Sequence, residues 1–247
     1  MKIIALDSSG LTASVAVVED DNLIAEYNVQ YKKTHSQTLL PMLDELKQMT
    51  ELDMATIDAI AISKGPGSFT GLRIGSATAK GLAYALNKPI VEIGTLEGMA
   101  CNLYGSDALI CPMMDARRSQ VYTGVFEYVF ENGAYSLKTI VDECAVAVEN
   151  ILCKLNELSV QYNKKVILLG DGIPVYIDII KEKLSASYII APAYANRQRA
   201  AAFAPIAIEK LKRGEAVSSY EHAPSYLRLS QAERERNEGI RNKGSNY

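Results

Sequence analysis

The sequence predicts an α/β fold built from two similar halves, and two observations support this prediction. The same order of elements, β-β-β-α-β-α-β-α, can be traced twice along the 247 residues. In both copies, short alternating or continuous apolar runs mark the strands, and apolar residues repeated every three or four positions mark the helices. Hydrophobic residues make up 48% of the chain, which is enough to fill a core.

The first half, residues 1–105, should contain five strands and three helices. The acidic turn 19–21 separates the second strand from the third. Pro89 marks the end of the second helix, because proline cannot continue a helix. The predicted elements are, in order, strands 2–6, 12–18 and 22–31, helix 36–49, strand 57–63, helix 70–86, strand 90–93 and helix 96–103.

The second half, residues 106–230, repeats this order, and its last segment is able to pack back on the first half. Its predicted elements are strands 109–114, 121–130 and 135–141, helix 148–158, strand 165–169, helix 175–184, strand 188–190 and helix 199–213. Residues 231–247 begin with alternating Glu and Arg and end in Asn, Gly and Ser, so we expect a charged, disordered tail.

The repeated order predicts one mixed sheet in each half, with three meandering strands, two parallel additions and flanking helices. A cleft should lie between the halves. This duplicated plan is that of the actin, sugar-kinase and Hsp70 ATPase-like (ASKHA) fold, which indicates an architecture rather than a function.

Composition excludes several classes of protein. The net charge of −3 argues against general nucleic-acid binding by this chain alone. The four cysteines form no C-x-x-C pair, which indicates a reduced, cytoplasmic protein. Asp7 interrupts the first apolar run too early for a secretory signal, and no apolar segment reaches the roughly 18 residues that span a bilayer. We therefore expect no membrane association.

An ATPase of this plan needs two phosphate-binding hairpins. The first would be Asp7-Ser8-Ser9-Gly10, with a carboxylate and hydroxyls, although a plain turn explains the same residues. The second would be residues 115–120, where Arg117 and Arg118 stand in place of the glycines that let a backbone approach phosphates. The turn 170–173 fits either a nucleotide base or an ordinary helix start. We predict a vestigial nucleotide site at Asp7 and Ser9, and no tightly bound cofactor.

Residues that commonly bind metals or act as nucleophiles form no recognisable pattern. The two histidines, His35 and His222, are far apart in sequence, and no H-E-x-x-H or G-x-S-x-G motif accompanies them. His35 stands at a helix entrance, which favours a capping or surface role. We expect no catalytic residue and no metal site.

The helix 70–86 has an unusual face of small residues. At 100° per residue, Gly71, Gly75 and Ala79 lie on one side, and glycines in a helix indicate close packing. We predict that this face forms a protein–protein interface together with Leu39, Leu43 and Leu46 of the preceding helix. The alternative is that the two helices pack on each other inside the domain.

Four segments resemble the bacterial TsaB (YeaZ) family. They read IIALDSS at 3–9, HSQTLLPMLDEL at 35–46, AISKGPGSFTGLRIGSATAKGLA at 61–83 and MMDARRSQVY at 113–122. The resemblance implies an accessory subunit of the machinery that makes N6-threonylcarbamoyladenosine in tRNA, and a paralogue of its catalytic subunit TsaD. TsaD carries an H-x-x-x-H metal motif, and Thr95 and Met99 stand at those positions here.

The resemblance also implies partners. We expect a heterodimer with TsaD, an association with the small ATPase TsaE, and a homodimer when the chain is alone. ATP or ADP and tRNA would be bound only through the complex. Two alternatives remain open: an ASKHA-type ATP-binding enzyme that acts alone, and a metallopeptidase of the older glycoprotease description.

Overall fold

The computed structural model describes residues 1–31 and 34–228, which form two five-stranded sheets. The first sheet has the order β3-β2-β1-β4-β5, with β2 antiparallel to β1 and β3, and β4 and β5 parallel to β1. Its strands are β1 Lys2–Asp7, β2 Ala13–Glu19, β3 Asn22–Val29, β4 Ala59–Gly65 and β5 Ile90–Gly94.

The second sheet has the equivalent order, β10-β9-β6-β7-β8, read from the opposite edge. Its strands are β6 Leu109–Arg117, β7 Gln120–Glu131, β8 Ala134–Ala147, β9 Val166–Leu169 and β10 Tyr188–Ile190. Two sheets of the same topology confirm the duplicated α/β plan of the actin, sugar-kinase and Hsp70 ATPase-like fold. The central strand β1 is almost wholly apolar because helices cover both faces of its sheet.

Seven α-helices flank the sheets in the described residues. They are α1 Leu39–Met49, α2 Phe69–Leu86, α3 Thr95–Ala100, α4 Val148–Tyr162, α5 Gly172–Val175, α6 Ile177–Lys183 and α7 Ala200–Lys212. Ser68 caps the start of α2 by accepting from the Gly71 amide. Asn87 ends the helix in the left-handed conformation, one residue before Lys88-Pro89.

The last α-helix of each half packs on the sheet of the other half. Leu96 and Met99 of α3 lie in one apolar cluster with Ile110 and Phe126 of the second sheet. Helix α7 covers β1, β2 and β5 of the first sheet, with Phe203 in that core. The two halves are therefore joined by exchanged helices.

The chain after α7 returns along the first half. Val217 forms a bridge with Ile90 at the edge strand β5, and the Ser225 amide donates to the carbonyl of Lys64. We call residues 215–228 the C-terminal strap. The predicted tail, 231–247, lies outside the described residues.

The differences from the predicted elements are local. Strand β8 continues to Ala147 because its polar second part pairs with the start of β7. The predicted helix 175–184 is two helices, since Tyr176 leaves helical geometry between them. The segment before α1 is a short 3₁₀ turn, His35–Gln37. Within residues 1–31 and 34–228, no helix has the length and apolar character needed to cross a membrane.

Candidate functional site

The first predicted phosphate hairpin joins β1 to β2 and is held by hydrogen bonds within the hairpin and to α2. The Asp7 carboxylate accepts from the amide and hydroxyl of Ser9, at 2.8 and 2.7 Å. Ser8 donates to the carbonyl of Gly71 at 2.9 Å, and all three side chains are buried. Burial raises the pKa of Asp7 to about 6, although the bonds from Ser9 lower it.

Space beside this hairpin is filled by protein. A Cβ atom on Gly10 would lie 2.4 Å from Nε2 of Gln198, which comes from the loop before α7 and is almost fully buried. A Cβ atom on Gly67 would lie 2.3 Å from the carbonyl oxygen of Ser9. Phosphate groups need a backbone that is free to be approached. In this conformation the Gln198 amide therefore stands beside Gly10, where a phosphate group would need access to the backbone.

The second hairpin joins β6 to β7 and has an unusual backbone. Arg117, Arg118 and Ser119 all have positive φ angles, of 61°, 57° and 56°. The Asp115 carboxylate, at the start of this turn, accepts from the hydroxyl of Tyr176 at 2.8 Å and from the Arg117 amide. The turn presents two arginine side chains to solvent where a nucleotide-binding hairpin would present glycines.

Helix α3 carries Thr95 and Met99, the two residues that, from the family resemblance, are expected at the metal-binding positions of TsaD. Thr95 is fully buried, and its hydroxyl is 2.7 Å from the hydroxyl of Ser63. Met99 is buried in the apolar cluster that joins the halves. Among the residues that the structure describes, no three His, Cys, Asp or Glu side chains are grouped so as to hold a metal ion.

A carboxylate from the other half lies at the start of α3. Glu143 of β8 accepts from the amides of Leu96 and Glu97, at 2.8 and 2.9 Å. A Cβ on Gly94 would lie 2.5 Å from Oε1 of Glu143, so a larger residue there would require the Glu143 carboxylate to move. Burial raises the pKa of Glu143 to about 7, against the lowering effect of the two amides. Local sequence gives no signal of this contact, because its two sides are far apart in the chain.

The two histidines have structural contacts. His35 bonds through Nε2 to the carbonyl of Gly10 at 2.8 Å, which ties the turn before α1 to the first hairpin. His222 of the strap is buried and lies 2.7 Å from Oε1 of Glu92. Neither contact was predicted.

The location predicted for the six interface residues needs correction, because the structure buries all six inside the first half. Leu39, Leu43, Leu46 and Ala79 belong to the core between the helices and the sheet, while Gly71 and Gly75 pack on the first hairpin. A Cβ on Gly75 would lie 2.3 Å from Oγ of Ser8. These residues were assigned to the wrong side of their helices.

Other residues of α1 and α2 face outward. Leu40 is 52% exposed, and Ala77, Gly81 and Ala85 form an exposed stripe at intervals of four residues on α2. A Cβ on Gly81 would meet no atom within 4 Å. Each of the two helices therefore exposes small or apolar side chains, and these are different residues from those predicted.

Comparison with known proteins identifies the family. A family model described as "TsaD: tRNA N6-adenosine threonylcarbamoyltransferase" matches residues 23–236. The tRNA threonylcarbamoyladenosine biosynthesis protein TsaB of Bacillus subtilis is 37% identical over 235 residues, which cover 94% of this chain and 96% of that protein. The chain belongs to the TsaB family.

Two further TsaB-family proteins agree with this assignment. The Escherichia coli protein of the same name is 28% identical over 92% of this chain and 95% of its own length. The solved structure of YeaZ from Pseudomonas aeruginosa has a TM-score of 0.74 at 26% identity, and the match covers 92% of this chain and 99% of that one. The family resemblance predicted from the sequence is confirmed.

Proposed function

We propose that this chain is a non-catalytic partner of TsaD. In this role it supports the formation of N6-threonylcarbamoyladenosine at position 37 of tRNAs that read ANN codons, together with the ATPase TsaE, in the cytoplasm. Membership of the TsaB family supports the pathway, because its relatives are named for tRNA threonylcarbamoyladenosine biosynthesis.

The observation that supports the non-catalytic role is what surrounds two side chains of α3. Thr95 and Met99 stand where the paralogue has metal ligands, and here one is hydrogen-bonded to Ser63 and the other is packed between the halves. A threonine hydroxyl and a thioether are poor ligands for iron or zinc in a catalytic site. These positions now serve the packing of α3.

The nucleotide site supports the same conclusion. Gln198 fills the space that faces Gly10, and the second hairpin has arginine side chains where close phosphate binding needs glycines. We propose that the isolated chain holds no nucleotide tightly, and that ATP or ADP enters only in the complex.

The outward face of α1 and α2 is the proposed TsaD-binding surface. Its small residues Ala77, Gly81 and Ala85 permit a helix of the partner to approach closely, and Leu40 adds apolar area. The sequence of this region is shared with the paralogue, so the same surface should pair with itself. We propose a homodimer when TsaD is absent, in competition with the heterodimer.

The proposal is tested by size-exclusion chromatography and a modification assay with purified TsaD and TsaE. We expect a complex of this chain with TsaD, and tRNA modification only when both are present. Modification by TsaD and TsaE without this chain would overturn the proposed function, and so would threonylcarbamoyl transfer by this chain alone.

The same preparation separates the alternatives. Elemental analysis of protein purified without a metal-affinity tag should find no stoichiometric metal. One tightly held iron or zinc per chain would favour the metallopeptidase alternative, and ATP turnover by the isolated chain would favour the stand-alone enzyme.

A further inference from the structure

The C-terminal strap places an aromatic pair at the start of α2. The rings of Phe69 and Tyr226 are stacked, with centroids 4.2 Å apart and planes 4° from parallel. Arg73, one turn along the helix, donates from Nε to the Tyr226 hydroxyl at 3.2 Å and lies 5.4 Å from the Phe69 centroid. Tyr226 remains 39% exposed.

The strap then reaches the second half. Arg228 donates to the carbonyl of Ala116, immediately before the second hairpin. Arg117 and Arg118 of that hairpin are exposed. Arg73 contacts Tyr226, Arg228 follows two residues later, and Arg228 contacts the residue before Arg117 and Arg118. The four arginines therefore form one connected series across the boundary between the halves. We call Arg73, Arg117, Arg118 and Arg228 the arginine band.

Among the described residues, no acid forms an ion pair with any of these four arginines. Within residues 1–31 and 34–228, the arginines found in ion pairs are Arg199 and Arg213, which lie outside the band. The nearest carboxylate along the chain, Asp115, is already used by the hydroxyl of Tyr176 and the amide of Arg117. Within the part of the chain that the structure describes, the band is therefore a local concentration of positive charge without ion-pair partners, on a chain with a net charge of −3.

The backbone at Arg117 and Arg118 is unfavourable for the residues that occupy it. Three successive non-glycine residues in the left-handed region cost roughly 1–2 kcal/mol each, and glycine would avoid this cost. Strain of this kind persists where the surrounding structure enforces it, often at functional sites. Arginine at this turn contributes exposed charge and forms no ion pair with residues 1–31 or 34–228.

We propose that the arginine band and its aromatic pair bind tRNA directly, so that this chain supplies part of the RNA-binding surface of its complex with TsaD. Guanidinium groups pair with phosphates, and a partly exposed stacked ring is a platform for an unpaired base. The inference rests on the proposed function for the identity of the RNA. It differs from the sequence-based expectation that tRNA is held only through the complex.

RNA fits this surface better than an acidic protein does. Ion pairing alone would suit either partner, but the exposed aromatic ring within the band adds stacking, which every base can use. An acidic surface of TsaD or TsaE is the competing occupant, and the experiment distinguishes the two.

The test measures binding of an unmodified, ANN-reading tRNA to the complex of the full chain with TsaD, by fluorescence anisotropy over a range of salt concentrations. Arg117→Gln and Arg118→Gln should each lower affinity about five- to eightfold at about 0.1 M salt. Each should also reduce the slope of log affinity against log salt by roughly 0.7–0.9, since one phosphate contact is lost. Arg118→Lys should keep the slope, because its charge remains.

Arg213→Gln is the matched control, because it removes an exposed arginine outside the band. It should leave tRNA affinity unchanged. Arg117→Gly tests the fold separately: it should raise stability by relieving the left-handed strain, and still weaken tRNA binding. Higher stability together with weaker tRNA binding cannot result from unfolding.

Two results would overturn the inference. One is unchanged tRNA affinity and salt slope in the double variant Arg117→Gln/Arg118→Gln. The other is loss of TsaD or TsaE binding in the same variant, which would make the band a protein-binding surface. Formation of the TsaD complex by the wild-type chain is checked first, so failure of the proposed function is recognised independently.

Discussion

The amide group of Gln198 lies against Gly10, so close that a single added carbon on Gly10 would be 2.4 Å from its nitrogen. Gln198 belongs to the loop before α7 in the second half of the chain, and Gly10 belongs to the first hairpin, in the sheet of the first half. The contact brings the halves together where an ATPase of this fold would hold phosphate.

The first prediction concerns nucleotide binding. Calorimetry with ATP and the isolated chain should show no low-micromolar binding and no turnover, because Gln198 occupies the space beside Gly10. Asp7→Ala should instead destabilise the fold by about 1–3 kcal/mol, since it leaves two buried donors of Ser9 unpaired. Low-micromolar binding together with hydrolysis that Asp7→Ala abolishes would show a functional site.

The second prediction concerns the buried pair of hydroxyls at the start of α3. Thr95→Val should lower the free energy of unfolding by about 1–3 kcal/mol, because the hydroxyl of Ser63 loses its partner. Adding Ser63→Ala should recover part of this loss, because it removes the unpaired hydroxyl while Asp7 loses its interaction with Ser63. Urea unfolding of the two single variants and the double variant gives the interaction energy. Purely additive effects would show that the two hydroxyls do not depend on each other.

The order of elements was predictable because it depends on local periodicity. In each half, short apolar runs mark the strands, and apolar residues at helical spacing mark the helices. The observed sheets contain the strands in the predicted arrangement. The contacts of Gln198 and Glu143 were not predictable, because each joins segments that are distant in sequence. No local pattern marks either residue.

The prediction chose the wrong stripe of small residues as the outward face of α2, and the reason is physical. The helix has two stripes of small residues: Gly71, Gly75 and Ala79 face the first hairpin and the core, and Ala77, Gly81 and Ala85 face outward. Both stripes have a spacing of four, so helical periodicity cannot tell one from the other. Only the position of the first hairpin, set by the sheet, decides which stripe is buried.

The third prediction is a dependence of stability on pH. The pKa of Glu143 is about 7 in the folded state and near its ordinary value of about 4.5 when unfolded, so the folded state binds the proton more tightly. The resulting stabilisation is complete below about pH 4.5 and is lost as the pH rises through about 7. The loss is of the order of 2–3 kcal/mol.

Denaturation at several pH values between about 5 and 8 tests this dependence. Glu143→Gln keeps an oxygen for the amides of Leu96 and Glu97 but does not ionise, so its stability should change less over this range. Asp7, whose pKa is also raised, adds the same trend below about pH 6 and remains in the variant. An identical pH profile for wild type and variant would contradict the effect of burial on Glu143.

The last prediction separates the two faces of α2. Gly81→Leu adds a side chain in open space, where a Cβ meets no atom within 4 Å. The isolated chain should therefore become more stable by roughly 0.5–1 kcal/mol, because leucine favours a helix more than glycine does. In the complex, the same side chain would overpack a close helix crossing at a cost of about 1–3 kcal/mol. Affinity for TsaD should fall roughly fivefold to a hundredfold.

Gly75→Leu is the contrasting variant on the opposite side of the helix. Its Cβ would lie 2.3 Å from Oγ of Ser8, so we expect unfolding, seen as a loss of the circular dichroism of the native chain. A folded Gly81→Leu protein that binds TsaD and forms its homodimer as strongly as wild type would place the interface elsewhere. A Gly81→Leu protein that elutes as a monomer, keeps its helical spectrum and no longer supports tRNA modification would locate the partner on the Ala77, Gly81 and Ala85 stripe. A Cβ at position 81 meets no atom of the chain itself within 4 Å, so the added side chain would act by displacing the partner.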